Sequence, residues 1–171
     1  ELLKKFGAKV KFLRIKKINN EKCANIYVKH AKLKPIKASK EYYVKATDEY
    51  PILFVLAGLT KGVSTFKGIE DLANKESNRI TEMQKILFQV GIKSKLLKGG
   101  LKIYGKSLIN ASKKKIITKN IGDHRICMST FILAVLTDAK TKIKNCETVN
   151  TSSPSFLKIM KKLGAKFEKK K

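Results

Sequence analysis

Apolar residues recur at helical spacing in two stretches of the chain. Ile80, Met83, Leu87 and Val90 form one pattern, and Phe156, Ile159, Met160 and Leu163 form the other. Each predicts an amphipathic helix burying one face, over about residues 75–90 and 154–163. Two further stretches are apolar nearly all round. One opens at Asp48-Glu49-Tyr50-Pro51 and ends at Leu59-Thr60; the other opens at Asp123-His124-Arg125 and ends at Leu136-Thr137. A helix without a polar face belongs inside, with strands packed over it. Asp48 and Asp123 are expected N-caps, because a short carboxylate accepts from the free N–H groups of a first turn. Ser153 ahead of Pro154 predicts a third cap.

Two internal echoes organise these elements. The shorter is a helix end, a glycine and then a strand, at Gly7, Gly91 and Gly164. Each glycine stands where a left-handed helix cap is expected. In the longer echo an apolar helix ends in Thr60 or Thr137, and a strand follows at about residues 63–67 or 140–144. A second helix comes next, with Glu70 and Glu147 in register, each ten residues after its threonine. The product is a tandem, pseudo-symmetric α/β unit.

Composition changes this picture little. The 43% hydrophobic content of the 171 residues supports a packed core. The net charge of +26 invites a nucleic-acid reading, but only Arg14, Arg79 and Arg125 among the 39 basic residues are arginine. Readers of nucleic acid favour arginine for bidentate contacts, whereas Lys, Asn and Ile are what AT-rich codons supply. No zinc-ligand spacing, recognition motif or cluster of stacking aromatics accompanies the charge. A lysine-rich solvated surface is the expectation, with a basic nucleic-acid-binding domain as the alternative from another class. Cys23, Cys127 and Cys146 form no close pair in sequence and read as reduced cysteines. The apolar runs Tyr50–Leu59 and Ile126–Leu136 fall short of the roughly 20 residues of a membrane span. A cytoplasmic protein without a membrane segment is expected.

The candidate chemistry lies at the helix starts. Asp48, then Lys75, Glu76 and Arg79, then Asp123, His124 and Arg125, then Thr151, Ser152 and Ser153 gather there. Related units would point these starts to one face, where free N–H groups and the helix dipole favour anions. Lys75 and Arg79, at i and i+4, are expected to share a helix face, and a bound anion would offset their repulsion. Arg125 suits a carboxylate or phosphate bidentately, and His124 is suited to orienting or transferring a proton. Metal ligands do not cluster, and no cofactor is expected.

The segments Asp48-Glu49-Tyr50-Pro51-Ile52-Leu53, Lys75-Glu76-Ser77-Asn78-Arg79, Asp123-His124-Arg125 and Thr151-Ser152-Ser153-Pro154 stand in that order. Together they resemble the signatures of 5-enolpyruvylshikimate-3-phosphate synthases. The resemblance spans essentially the whole chain and matches the C-terminal part of those enzymes. It implies an α/β (α+β) fold of βαβαββ units around a pseudo-threefold axis. Residues 1–171 would form a single domain, most of the C-terminal domain of a two-domain enzyme, with the N-terminal domain absent from this chain. The implied reaction moves the enolpyruvyl group of phosphoenolpyruvate to the 5-hydroxyl of shikimate 3-phosphate and releases phosphate, without metal or cofactor. By resemblance Asp48 holds the shikimate hydroxyls and serves as base. Glu76 handles the methylene proton, and Lys75 stands near both substrates. Arg79 and Arg125 clamp phosphoenolpyruvate, and His124 lies beside it. A full-length monomer is expected, and this chain alone is expected to be inactive.

Asn78 departs from the aspartate usual at its place, and removes a charge that would balance Arg79. Thr151 stands near where many members carry a lysine, so that lysine's role is not transferred. Within the same fold, UDP-N-acetylglucosamine enolpyruvyl transferase is the alternative.

Overall fold

The computed structural model describes residues 1–107, 109–119 and 122–169. Its elements in chain order are α1 (Leu2–Lys5), β1 (Lys9–Ile18), β2 (Glu21–Lys29), β3 (Lys37–Ala38), α2 (Lys40–Ala46), α3 (Tyr50–Gly58), β4 (Gly62–Lys67) and α4 (Arg79–Gln89). There follow β5 (Lys93–Leu97), β6 (Gly100–Gly105), β7 (Lys115–Ile117), α5 (His124–Thr137), β8 (Lys140–Lys142), α6 (Val149–Ser152) and α7 (Phe156–Lys162). Short 3-10 turns cover Thr47–Glu49, Glu70–Asn74 and Cys146–Thr148.

Both echoes have a structural counterpart. Helices α1, α4 and α7 end before Gly7, Gly91 and Gly164, at φ 88°, 86° and 94°. Glycine adopts that left-handed conformation without a Cβ clash. Antiparallel hairpins β1–β2 and β5–β6 follow the first two glycines. After Gly164, residues 165–169 form no strand, so the third echo stops at its cap.

In the longer echo, β3 pairs parallel to β4 around the α2–α3 stretch, and β7 pairs parallel to β8 around α5. Thr60 and Thr137 each donate a 2.7 Å bond from Oγ1 to the carbonyl four residues back, Leu56 and Leu133. Eight residues beyond each threonine the chain turns through positive φ, at Gly68 (68°) and Asn145 (53°). Glu70 and Glu147 both lie in 3-10 turns. The middle stretch is therefore a whole βαβαββ unit, with a four-stranded sheet in the order β3-β4-β6-β5. An αββ piece precedes it and a βαβα piece follows. The expected α/β class and repeated unit hold.

The core sits under this sheet. Tyr50, Phe54 and Phe66 meet edge to face with centroids 5.9, 5.7 and 5.1 Å apart, the geometry that aromatic quadrupoles favour. Gly58 lets α3 close on its neighbours, since a Cβ there would stand 2.9 Å from Ile92 Cδ1. Both helices expected to be buried are so, with Leu53, Phe54, Val55 and Ala57 of α3 and Ile126 and Leu133 of α5 in the core.

Three local expectations need correction. Helix α4 begins at Arg79, not near residue 75, because Lys75 is extended (φ −85°, ψ −166°) after the 3-10 turn. Lys75 and Arg79 therefore share no helix face. Helix α7 begins at Phe156 rather than at Pro154. The Ser153 N–H closes α6 on the Val149 carbonyl, so Ser153 ends one helix instead of capping the next. Asp48 lies inside the Thr47–Glu49 turn and makes no capping bond, since its carboxylate is drawn to two arginines.

Among the described residues no helix is long and apolar enough to cross a membrane.

Candidate functional site

Three helix starts that are far apart in sequence meet around Arg79. The buried Arg79 guanidinium (1% exposed) donates from Nε to Asp123 Oδ2 at 3.0 Å, from one terminal nitrogen to Asp48 Oδ1 at 3.0 Å and from the other to Glu76 Oε2 at 2.6 Å. Taking an unpaired guanidinium out of water is costly, so its burial here depends on those carboxylates. Burial works against the charge, and the bonds to Asp123 and Asp48 more than offset it, so Arg79 is held firmly cationic. A bound anion would be one way to balance this position; the protein's own acids already pair with Arg79.

Asn78 also finds an explanation. It is the N-cap of α4, with Oδ1 accepting from the Thr81 N–H at 3.1 Å. Asparagine and aspartate cap about equally well, so the missing carboxylate weakens neither the helix start nor the balance of Arg79.

Asp123 is the expected cap of α5. One oxygen accepts from the Arg125 and Ile126 N–H groups at 2.9 and 3.3 Å; the other accepts from Arg79 Nε at 3.0 Å and Ser77 Oγ at 2.9 Å. All four lone-pair directions of this fully buried carboxylate are thus taken. Asp48 differs, with its side chain 55% exposed. The hydrogen bond from Arg79 holds its carboxyl below the ordinary range, with the Arg125 charge assisting against partial desolvation. Arg125 reaches Glu49 Oε1 at 2.9 Å, the Asp48 carbonyl at 3.4 Å and Asp48 Oδ2 at 3.5 Å. Lys75 stands to one side, 2.7 Å from Asp71 Oδ2, which also accepts from the Tyr43 hydroxyl at 2.9 Å.

The structure therefore gathers Asp48, Glu76, Arg79, Asp123 and Arg125 into one network of ion pairs. Lys75 is tied to Asp71 instead, and His124 opens α5 half-buried, outside the network. Thr151 donates 2.7 Å to the Thr148 carbonyl within its own turn. Sequence reasoning missed Glu49, Ser77 and Asp71. Asp71 lies four residues before Lys75, a readable pairing, whereas nothing local separates Glu49 from a surface glutamate. Among the described residues, no three His, Cys, Asp or Glu side chains are grouped to hold a metal.

Fold and network define an α/β protein of βαβαββ units with a charged cluster where helix starts converge. The family model described as EPSP synthase (3-phosphoshikimate 1-carboxyvinyltransferase) matches residues 1–160, and the chain belongs to that family. It is 37% identical over 162 residues to the 3-phosphoshikimate 1-carboxyvinyltransferase of Clostridium tetani, covering 94% of this chain and 36% of that protein. To the protein of the same name from a Thermoanaerobacter species it is 34% identical, covering 92% of this chain and 36% of that one. A solved EPSP synthase structure from Acinetobacter baumannii superposes with a TM-score of 0.83 at 30% identity, covering 94% of this chain and 37% of that chain. The chain thus spans little more than a third of the length of these relatives.

Proposed function

We propose that this chain supplies one wall of a site that transfers the enolpyruvyl group of phosphoenolpyruvate to the 5-hydroxyl of shikimate 3-phosphate, with release of phosphate. The observation that carries this reading is the meeting of Asp48, Glu76, Arg79 and Arg125 in one cluster within a chain of this family. In the proposed arrangement residues 1–171 are most of a C-terminal domain, and a second domain closes the cleft.

Asp48 suits the base role at the 5-hydroxyl, because it is exposed, ionised and fixed by two guanidinium groups. Glu76, half-exposed beside Arg79, is placed to hold a proton at the methylene carbon. Arg125 is the more accessible arginine, and an incoming carboxylate or phosphate would replace Glu49 on it. Arg79 spends three of its five N–H donors on carboxylates and is buried, so its first task is to fix Asp48 and Glu76. Lys75 and His124 border the cluster and would contact substrate from its rim. Fixed charges aimed at two highly anionic substrates are the physical basis of catalysis in such a site.

The test joins this chain to the coding sequence immediately upstream and follows phosphate release from phosphoenolpyruvate. Release with shikimate 3-phosphate, and none with UDP-N-acetylglucosamine, is expected. Release with the sugar nucleotide alone would reassign the acceptor. Steady turnover by the isolated chain would remove the need for a second wall.

A further inference from the structure

Cys127 and Cys146 stand apart from the charge network and are brought together by the fold. Cys127 is 2% exposed in α5, with its N–H on the Asp123 carbonyl at 3.0 Å. Its thiol donates to the Asn145 carbonyl at 3.9 Å, which sets its sulfur against the residue that precedes Cys146. The left-handed conformation of Asn145 (φ 53°, ψ 42°) turns the chain so that the next residue faces α5. Cys146 also lines a cleft of about 630 Å³, with Phe131 of α5, Thr141 of β8 and Lys169 on its other sides. Cys146 is partly exposed at this cleft, whereas Cys127 is buried.

We propose that Cys146 and Cys127 form an oxidisable dithiol, in which Cys146 meets a peroxide at the cleft and Cys127 converts the product to an intramolecular disulfide. The Cys146 thiolate attacks one peroxide oxygen, the O–O bond breaks, and the leaving hydroxide takes a proton to become water. Cys146 is then a sulfenic acid. The Cys127 sulfur attacks that sulfur, the S–S bond forms, and the sulfenic hydroxyl departs with the Cys127 proton as a second water. Two thiols are oxidised and one peroxide is reduced to two waters.

The electrostatics agree with these roles. The neighbouring Cys127 thiol and the Lys169 charge bring the Cys146 thiol down to about 7 against desolvation, which makes thiolate available near neutrality. The neighbouring Cys146 and burial push Cys127 up, so it remains the proton donor. Cys127 follows Arg125 by two residues, so the disulfide would tie the first turns of α5 to the Cys146–Thr148 turn.

The experiment treats the chain with one equivalent of hydrogen peroxide, alkylates it and maps its peptides by mass spectrometry without reduction. The peptides holding Cys127 and Cys146 should be joined, and free thiols should fall from three to one, at Cys23. Cys23→Ser should leave the cross-link in place. Cys127→Ala should abolish it and leave a sulfenic acid at Cys146 that dimedone traps. Persistent sulfenic or sulfinic acid at Cys146 of the unaltered chain, with Cys127 free, overturns the proposal. Equally fast disulfides through Cys23 do the same. Should Cys127→Ala lose its circular dichroism signal, the Cys23→Ser chain still decides.

Discussion

Asp48 and Asp123 occupy corresponding places in the two α/β units, each just ahead of a buried helix that ends in a threonine bonded to its own last turn. Both are bound by Arg79. Asp123 is sealed, takes two backbone N–H bonds from α5 and has no lone pair to spare. Asp48 has withdrawn from its helix into a 3-10 turn and keeps more than half its surface open. The same residue before the same kind of helix is therefore a fastener in one unit and an available carboxylate in the other. The tertiary partners decide which, because Arg125 and Glu49 draw the chain at Asp48 outward.

The sharpest way to break this comparison is Asp123→Ala. The change removes the cap of α5 and leaves the buried Arg79 guanidinium short of a carboxylate, which should cost about 3–5 kcal/mol in urea unfolding. Asp123→Asn retains an acceptor for the cap and should cost clearly less. A loss below about 1 kcal/mol for the alanine variant would put Asp123 on the level of an exposed ion pair, and the contrast with Asp48 would fall.

A second pair of equivalent positions sharpens it. Gly68 and Asn145 both turn through positive φ, but Asn145 already carries a Cβ, whereas the space beside Gly68 is taken by Lys40. A Cβ there would come within 2.4 Å of Lys40 Cβ and 2.9 Å of its Cα. Gly68→Asn should therefore destabilise by about 1–3 kcal/mol through overpacking, although asparagine tolerates the dihedral angles. Asn145→Gly should change stability by less than about 1 kcal/mol. Equal effects at the two positions would mean that backbone conformation alone governs both.

The sequence carried the repeat because the repeat is written in local signals. Glycines after helix ends, apolar runs without a polar face and the Thr60–Glu70 and Thr137–Glu147 registers are all short-range features. The Asp123 cap was legible for the same reason. Lys75 and Arg79 were misplaced because a 3-10 turn and an extended residue can carry helical spacing without being helix. The long β1–β2 hairpin was legible only at its first residues. Its Asn19-Asn20 turn, at φ 47° and 66°, is the signal that deserved more weight. The members of the Arg79 network were legible as residues of converging helix starts, but their pairings were not, since they lie up to 77 residues apart and only packing joins them.

The smallest expected effect on stability belongs to Asp48→Asn. Its side chain is 55% exposed and asparagine keeps an acceptor for the buried Arg79, so the loss at neutral pH should stay below about 1 kcal/mol. The sign of the pH dependence follows from the lowered carboxyl of Asp48. A group with a depressed folded-state pKa stabilises the fold above its unfolded value, about 3.9 for aspartate, and that contribution fades as pH falls through the folded value. The stability gap between the unaltered chain and the variant should therefore narrow on acidification. In the joined protein the same substitution should abolish phosphate release. Small structural cost with lost turnover is the behaviour of a carboxylate freed for chemistry. A cost as large as that of Asp123→Ala would make Asp48 a second fastener, and intact turnover would leave its exposure without a catalytic purpose.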